Sequence, residues 1–360
     1  MKPFIRNLLR MSVYQIKYMD AVPDSAVCNE AVKLAKRHKF AQLSGFVNGV
    51  LRNIARNIDS VQLDTLSIRY SMPQWIVDRF IAAYGEKKAE EIFKAFHNKS
   101  TISIRTNLTR CTPDELRAML EAEGVTVTAV DELNYAFVIS GFDYLNGLQS
   151  FRDGLFYVQD ISSMLVAQTA TPKKGDYVID VCAAPGGKST HIAELLQGSG
   201  HVLARDLTDN KVDMIEENIE RHGLNNMSAE VWDATVFDAD SAGKADILIC
   251  DLPCSGLGVL GRKKDIRYKM TPESVDELAA LQRQILDTVH TYVKPNGVLV
   301  YSTCTIDEAE NEDNVRWFIE KHPEFELDKS FAEGTGMKQI LPGEHGSDGF
   351  FIARFIKSKL

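Results

Sequence analysis

From Pro172 onward, apolar β-type runs and amphipathic helical stretches take strict turns, and that alternation leaves few folds open to the chain. Strands are expected at Tyr177 to Val181, His201 to Arg205, Met227 to Val231, Ala245 to Cys250 and Val298 to Tyr301. Helices are expected at Ser189 to Leu196, Asn210 to His222, Pro272 to Tyr292 and Asp307 to Glu320. Such a series specifies a mainly parallel sheet with helices on both faces, and Phe350 to Ile356 is expected to add an edge strand. Ligands of these sheets bind beyond the carboxyl ends of the strands, so the residues just after each strand carry the functional information.

The part before this domain reads differently. Leu43, Val47, Val50, Leu51, Ile54 and Ile58 recur at helical spacing with Arg52 and Arg56 on the polar face, and the first 57 residues read as all-helical. Pro73 opens a second helical stretch that Gly85 is expected to end, with Glu86 to Phe96 continuing the pattern. From Thr101 the period becomes two. Thr112, Pro113 and Glu115 then supply an N-cap, a first-turn proline and a capping-box acid for a helix that should stop at Gly124. Short strands at Val125 to Val130, Tyr135 to Ile139 and Leu155 to Val158 complete a small α+β module, readable as a compact RNA-binding-like sheet or as a plain spacer. The expected division is a helical segment at 1–60, a helical connector at 61–97, the α+β module at 98–159 and the large α/β domain at 160–360.

No apolar run approaches the roughly 18 residues that a membrane helix needs, and the start lacks a secretion signal, so a cytoplasmic protein is expected. The six cysteines form no C-x-x-C pair and the histidines do not cluster in sequence, so neither a disulfide framework nor a metal site is signalled. A net charge of -9 argues mildly against nucleic acid, but the charge is uneven. Ala31 to Ile58 carries six basic residues and no acid, and Arg262 to Lys269 carries five against Asp265 alone. By itself either run is most simply a solvated face.

The strand ends form one constellation. After the first strand of the large domain comes Asp180-Val-Cys-Ala-Ala-Pro-Gly-Gly-Lys188, a turn of small residues leading into a helix N-terminus, distinct from both the dinucleotide fingerprint and the P-loop. Asp206, Asp233 and Asp251 follow the next three strands, and Asp206 lies 26 residues beyond Asp180, near the spacing of a ribose-binding carboxylate. A lone aspartate there is usually an N-cap; four at successive strand ends point to a nucleoside-bearing cofactor. Cys254 and Cys304 also stand at strand ends, whereas Cys28, Cys111 and Cys250 read as small buried apolar residues. Thr305-Ile306-Asp307-Glu308 reads as a capping box, which would put Cys304 just before a helix N-terminus whose dipole favours thiolate.

The segments DVCAAPGGKSTHIAELL, DLPCSGLGVLGRKKDIRYKM, LVYSTCTIDEAENE and LPGEHGSDGFFIARFIK resemble, in order, the motifs of the Sun family of RNA cytosine-5 methyltransferases. KFAQLSGFVNGVLRNIARN resembles the last helix of the NusB-like domain found in the branch that acts on 16S rRNA, so residues 1–60 are expected to be part of a longer NusB-like module. The resemblance implies a Rossmann-like domain with a seven-stranded sheet, S-adenosylmethionine as donor, 16S rRNA as partner, no metal, and a monomer. It assigns the covalent attack on the base to Cys304, breakdown of the adduct to Cys254, and recognition of the cytosine edge to Asp251. It places Cys182, Ala183, Ala184, Pro185, Gly186, Gly187 and Lys188 around the donor's methionine end, Asp206 on the ribose and Asp233 near the adenine, with Asp251 bordering the same pocket. Arg262, Lys263, Lys264 and Arg267 then become candidate phosphate contacts, and another rRNA site or a tRNA is the alternative substrate. An amino-group methyltransferase would need no thiol at Asp-Leu-Pro-Cys, and a binding-only factor would have no use for both Cys254 and Cys304.

Overall fold

The computed structural model describes residues 1–360 except 61–63, 99–100, 132 and 360, so the first residues of the expected connector and three of the α+β module lie outside the described set. The described chain divides into two units, Met1–Arg69 and Tyr70–Leu360.

The first unit is helical, as its apolar spacing predicts. Helices α1 (Pro3–Tyr18), α2 (Asp24–Arg37) and α3 (Ser44–Asn57) bury Ile5, Leu8, Val27, Ala31, Val47 and Leu51 against one another. Lys33, Lys36, Arg37, Lys39, Arg52 and Arg56 stay on the exposed surface of this unit.

The second unit opens with α4 (Gln74–Ala95), interrupted at Gly85, whose φ of 77° breaks the helix where the sequence predicts. A four-stranded antiparallel sheet follows, with β1 (Ile102–Thr106), β2 (Thr126–Val130), β3 (Leu133–Ser140) and β4 (Phe156–Val158) in the order β2-β3-β1-β4. Helix α5 (Pro113–Ala122) has its capping box: Thr112 Oγ1 accepts from the Glu115 amide and Glu115 accepts from the Thr112 amide.

The large sheet contains β5 (Tyr177–Asp180), β6 (His201–Asp206), β7 (Met227–Val231), β8 (Ala245–Asp251), β9 (Val293–Thr303), β10 (Phe325–Leu327), β11 (Met337–Ile340) and β12 (Phe350–Lys357). Seven strands run in the order β10-β12-β9-β8-β5-β6-β7, and β11 pairs with β12 as an eighth. From β9 to β7 every pairing is parallel, whereas β12 is antiparallel to β9. Helices α6 (Ile161–Ala170), α7 (Gly187–Leu195), α8 (Asp209–His222), α9 (Pro272–Val289) and α10 (Glu312–Lys321) accompany the sheet. Two apolar layers fill this domain. One joins β8 and β9 to α9 and α10 through Leu248, Leu286, Leu299 and Phe318, and the other joins β5 and β6 to α6 and α7 through Val178, Val166, Ile192 and Val202. Each such buried side chain contributes about 1.5–3 kcal/mol.

Two expectations fail here. Phe350 to Ile356 is an interior strand, because β10 and β11 both pair on its far side and satisfy the backbone groups an edge would leave open. The last helix begins at Glu312, five residues after Asp307. Asn311, with φ -108° and ψ -93°, blocks helical propagation, and its side chain is drawn inward to Thr303 Oγ1 and Gln339. Among the described residues no helix is long and apolar enough to cross a membrane.

Candidate active site

The carboxyl ends of β5, β6, β8 and β9 assemble the site. The loop after β5 turns back at Gly186, whose φ of 100° is open to glycine and costly for a side chain, and α7 starts at the next residue. Arg105, buried on β1, holds this helix start from the other sheet: its guanidinium donates to the Gly187 carbonyl at 2.8 Å, Thr190 Oγ1 at 3.1 Å and Glu194 Oε1 at 2.9 Å. Asp180, 1% exposed, accepts from Ser189 Oγ and the Cys182 amide, and burial foremost pushes its pKa up to about 7.

Asp206 is buried at the end of β6 and accepts from the Ala184 amide at 2.9 Å, its neighbour Leu207 at 2.7 Å and Lys211 Nζ at 2.8 Å. Its carboxylate thus ties the small-residue loop to the next strand and has a flexible partner in the half-exposed Lys211. Asp233 is exposed and accepts from the amide and hydroxyl of Thr235, the geometry of an ordinary turn.

The two thiols meet. Cys254 Sγ and Cys304 Sγ lie 3.2 Å apart although 50 residues separate them in sequence. The hydrogen bond from Cys254 holds Cys304 below the ordinary thiol range, aided by the charges of Lys188 and Lys263 and opposed by burial and by Asp251. That same shared proton, with burial and the nearby Glu310, pushes Cys254 well up. Of the two, Cys304 is thus the more acidic thiol. Lys188 Nζ is 2.6 Å from Asp251 Oδ2, and Ser302 Oγ donates to Asp251 Oδ1 at 2.7 Å, so a fixed carboxylate stands beside the thiol pair.

The loops that carry the thiols are set by contacts the sequence did not advertise. The Gly258 amide donates to the Cys304 carbonyl at 3.1 Å, and a Cβ on Gly258 would lie 2.2 Å from the Gly349 carbonyl oxygen. Glu310, fully buried, accepts from the Ser255 amide at 2.8 Å, from Ser255 Oγ and from Gln282 at 3.0 Å, pinning the residue after Cys254. Asp307 is bound by both arms of Arg79, and Tyr84 donates to the Ile306 carbonyl at 2.6 Å. The expected capping box at Thr305 to Glu308 is thus replaced by a tertiary clamp. Among the described residues no helix N-terminus adjoins Cys304, and the lowering of its pKa comes from Cys254 and the lysines instead.

The basic run after Cys254 splits. Arg262 donates to Asp160 at 3.0 Å and to the Thr101 carbonyl at 3.1 Å, and pairs with Asp348 at 2.6 Å; Arg267 is buried, donating to the Ser71 and Leu260 carbonyls. These two arginines brace the loop and are not placed to take phosphates. Lys263 and Lys264 are exposed. Cys28, Cys111 and Cys250 are buried, as expected.

A parallel sheet with acids at successive strand ends, a tight small-residue loop entering a helix and a nearby thiol pair define a Rossmann-like, S-adenosylmethionine-dependent methyltransferase. Residues 167–356 match the family described as 16S rRNA methyltransferase RsmB/F, residues 1–56 match the NusB family, and residues 72–142 match the ferredoxin-like domain of RsmF/B-like methyltransferases. The chain belongs to the RsmB/F methyltransferase family. It is 38% identical to the probable ribosomal RNA small subunit methyltransferase B of Bacillus subtilis, over 99% of this chain and 83% of the relative. It is 31% identical to the ribosomal RNA small subunit methyltransferase B of Shewanella oneidensis, over 98% and 82%. Among solved structures, PH0851 superposes with a TM-score of 0.83 at 28% identity, covering 100% of this chain and 83% of that one. NSun6 from Pyrococcus horikoshii with SFG superposes with a TM-score of 0.73 at 25% identity, covering 80% and 99%.

Proposed function

We propose that this protein methylates C5 of a cytosine in 16S rRNA, cytosine 967 by its resemblance, through a transient bond between Cys304 and C6 of the base. The observation that carries the reading is the 3.2 Å contact between Cys254 and a Cys304 held below the ordinary thiol range. Cytosine C5 is too weak a nucleophile to take a methyl group unaided, and addition of a thiolate at C6 turns the ring into an enamine that can.

The donor set suits S-adenosylmethionine. Asp206 offers acceptors for ribose hydroxyls, Asp233 for the adenine edge and Asp251 for an ammonium, and the Cys182 to Lys188 loop presents backbone rather than bulk. SFG, found with the Pyrococcus horikoshii relative, is an analogue of that cofactor. The bound cofactor supplies an electrophilic methyl group.

The chain's own residues do the rest. Cys304 Sγ gives its electron pair to C6. Asp251, oriented by Lys188 and Ser302, accepts from the N4 amino group, and a proton delivered from the adjoining Lys188 ammonium to N3, an acceptor, offsets the negative charge that grows there. Water takes the C5 proton, the C5–H electron pair closes the C5=C6 double bond, and the pair of the breaking S–C6 bond returns to Cys304; Cys254, 3.2 Å from that sulfur, stands close enough to assist the release. The base must leave its stack to reach the crevice, and Lys263, Lys264 and the basic surface of residues 1–60 supply backbone attraction. The 98–159 module and the NusB-like segment serve as RNA-binding parts and the 160–360 domain as the catalyst, in a monomer working in the cytoplasm.

The test is to incubate each cysteine variant with 16S rRNA and cofactor. Cys304→Ala should neither methylate nor form an adduct, and Cys254→Ala should accumulate a denaturation-resistant protein–RNA complex. Methylation by Cys304→Ala, or no complex with Cys254→Ala, would overturn the roles.

A further inference from the structure

At the opposite, amino-terminal end of β9 from the thiols, three side chains from two separate segments come together. Asp287 and His290 lie three residues apart, one helical turn, at the end of α9. His322 follows α10, 32 residues beyond His290, so the histidines that show no clustering in sequence meet in space. One ligand atom from each of the three lies within 4.8 Å of the others. The two imidazole rings are 3.9 Å apart between centroids, and Glu324 Oε1 stands 3.7 Å from His290 Nε2.

A second, independent observation points to a ligand. His322 is only 6% exposed, and among the described residues its Nε2 has no hydrogen-bond partner. Asp287 Oδ1 lies 3.2 Å from that nitrogen but off the axis a hydrogen bond requires. Buried polar atoms are rarely left unpaired, so a nitrogen left so beside a carboxylate and a second imidazole calls for an explanation.

We propose that Asp287, His290 and His322, with Glu324 as a fourth ligand, bind a divalent transition-metal ion of the zinc class. Two imidazoles and two carboxylates form the nitrogen and oxygen donor set that such ions take tetrahedrally at about 2.0–2.2 Å. The ligand atoms of Asp287, His290 and His322 already lie within 4.8 Å of one another and need only side-chain rotation to close on one ion, whereas Glu324, 3.7 Å from His290 Nε2, has to swing in as the fourth. Lys321, which donates to Asp287 Oδ2 at 2.9 Å, would give up that exposed contact. The ion would fasten the end of α9 to the end of α10 and to the segment entering the edge strand β10, far from the methyl-transfer chemistry, so its role is structural.

The experiment uses the full chain with Cys254→Ser and Cys304→Ser, which removes the thiol pair as a competing soft site. After chelation and dialysis the protein is titrated with Zn2+ and, for its visible spectrum, with Co2+. One equivalent of Zn2+ should bind with a Kd of about a micromolar or tighter and raise Tm. Adding Asp287→Asn, a change at an exposed position that leaves the packing alone, should weaken binding by about 10-fold or more, and His290→Gln with His322→Gln should abolish it. Absence of saturable binding in the parent, or equal affinity in the Asp287→Asn protein, would overturn the proposal.

Discussion

Replacing Cys254 by alanine deletes the donor that faces Cys304 across 3.2 Å. A hydrogen bond to a charged group contributes about 1.5–3 kcal/mol, and one pKa unit corresponds to about 1.4 kcal/mol, so the Cys304 pKa should rise by about 1–2 units. Lys188 and Lys263 remain in place and keep part of the stabilisation. At a pH below the midpoint, the thiolate fraction falls by about 10- to 100-fold. The assay is the rate of iodoacetamide alkylation at Cys304 from about pH 6 to about pH 10, read peptide by peptide in a mass spectrometer. The other thiols are internal controls, because burial pushes Cys111 up to about 11 and raises Cys28, Cys182 and Cys250 as well. Cys304 should react first in the parent protein and show an upshifted midpoint in Cys254→Ala. A midpoint that stays put or moves down would refute the shared proton. The same shift makes a second point about the adduct: Cys254→Ala should form it more slowly at neutral pH and faster as the pH rises.

Two further perturbations test the scaffold. Arg79→Ala leaves the Asp307 carboxylate, 2% exposed, without its guanidinium; removing one partner of a buried pair costs about 3–5 kcal/mol, reduced here to about 2 kcal/mol because Arg79 is 29% exposed. Calorimetry should show Tm lower by about 4–8 °C, and a fall of under about 1 °C would remove the clamp on the Cys304 loop from the account. Asp180 keeps its proton to about pH 7 when folded, against 3.8 as the ordinary value, so the native state binds the extra proton between those limits. Stability accordingly declines as pH rises through that window and levels off above it. Asp180→Asn should flatten this decline in urea titrations, and an unchanged slope would show that Asp180 ionises normally.

Local periodicity made much of the fold legible. The alternation after Pro172 placed four of the five parallel strands within a residue, while β9 begins five residues before the expected Val298, and Thr112 to Glu115 closed the capping box its spacing promises, because these signals depend on neighbours a few residues away. Phe350 to Ile356 misleads because a strand's own pattern does not reveal whether β10 and β11 pair beyond it. Thr305 to Glu308 misleads because Asp307 is taken by Arg79, 228 residues distant, while Asn311 stops the helix. The same limit governs the site. Strand-end position singled out Cys254, Cys304 and Asp251, but Lys188 as the partner of Asp251, Glu310 as the anchor of Ser255 and Arg262 as a brace between Asp160 and Asp348 are pairings that only the folded chain displays. The unshared run of lysines and arginines after Cys254 gave no sign of which charges would be spent internally.

In the proposed mechanism one sulfur, that of Cys304, bonds to the pyrimidine ring. An rRNA fragment with 5-fluorocytidine at the target position blocks loss of the C5 substituent and should freeze the intermediate when cofactor is added. Digestion and mass spectrometry should then find the nucleotide on the peptide that contains Cys304. A nucleotide on the Cys254 peptide, or methyl transfer with no protein-bound nucleotide at all, would contradict the account.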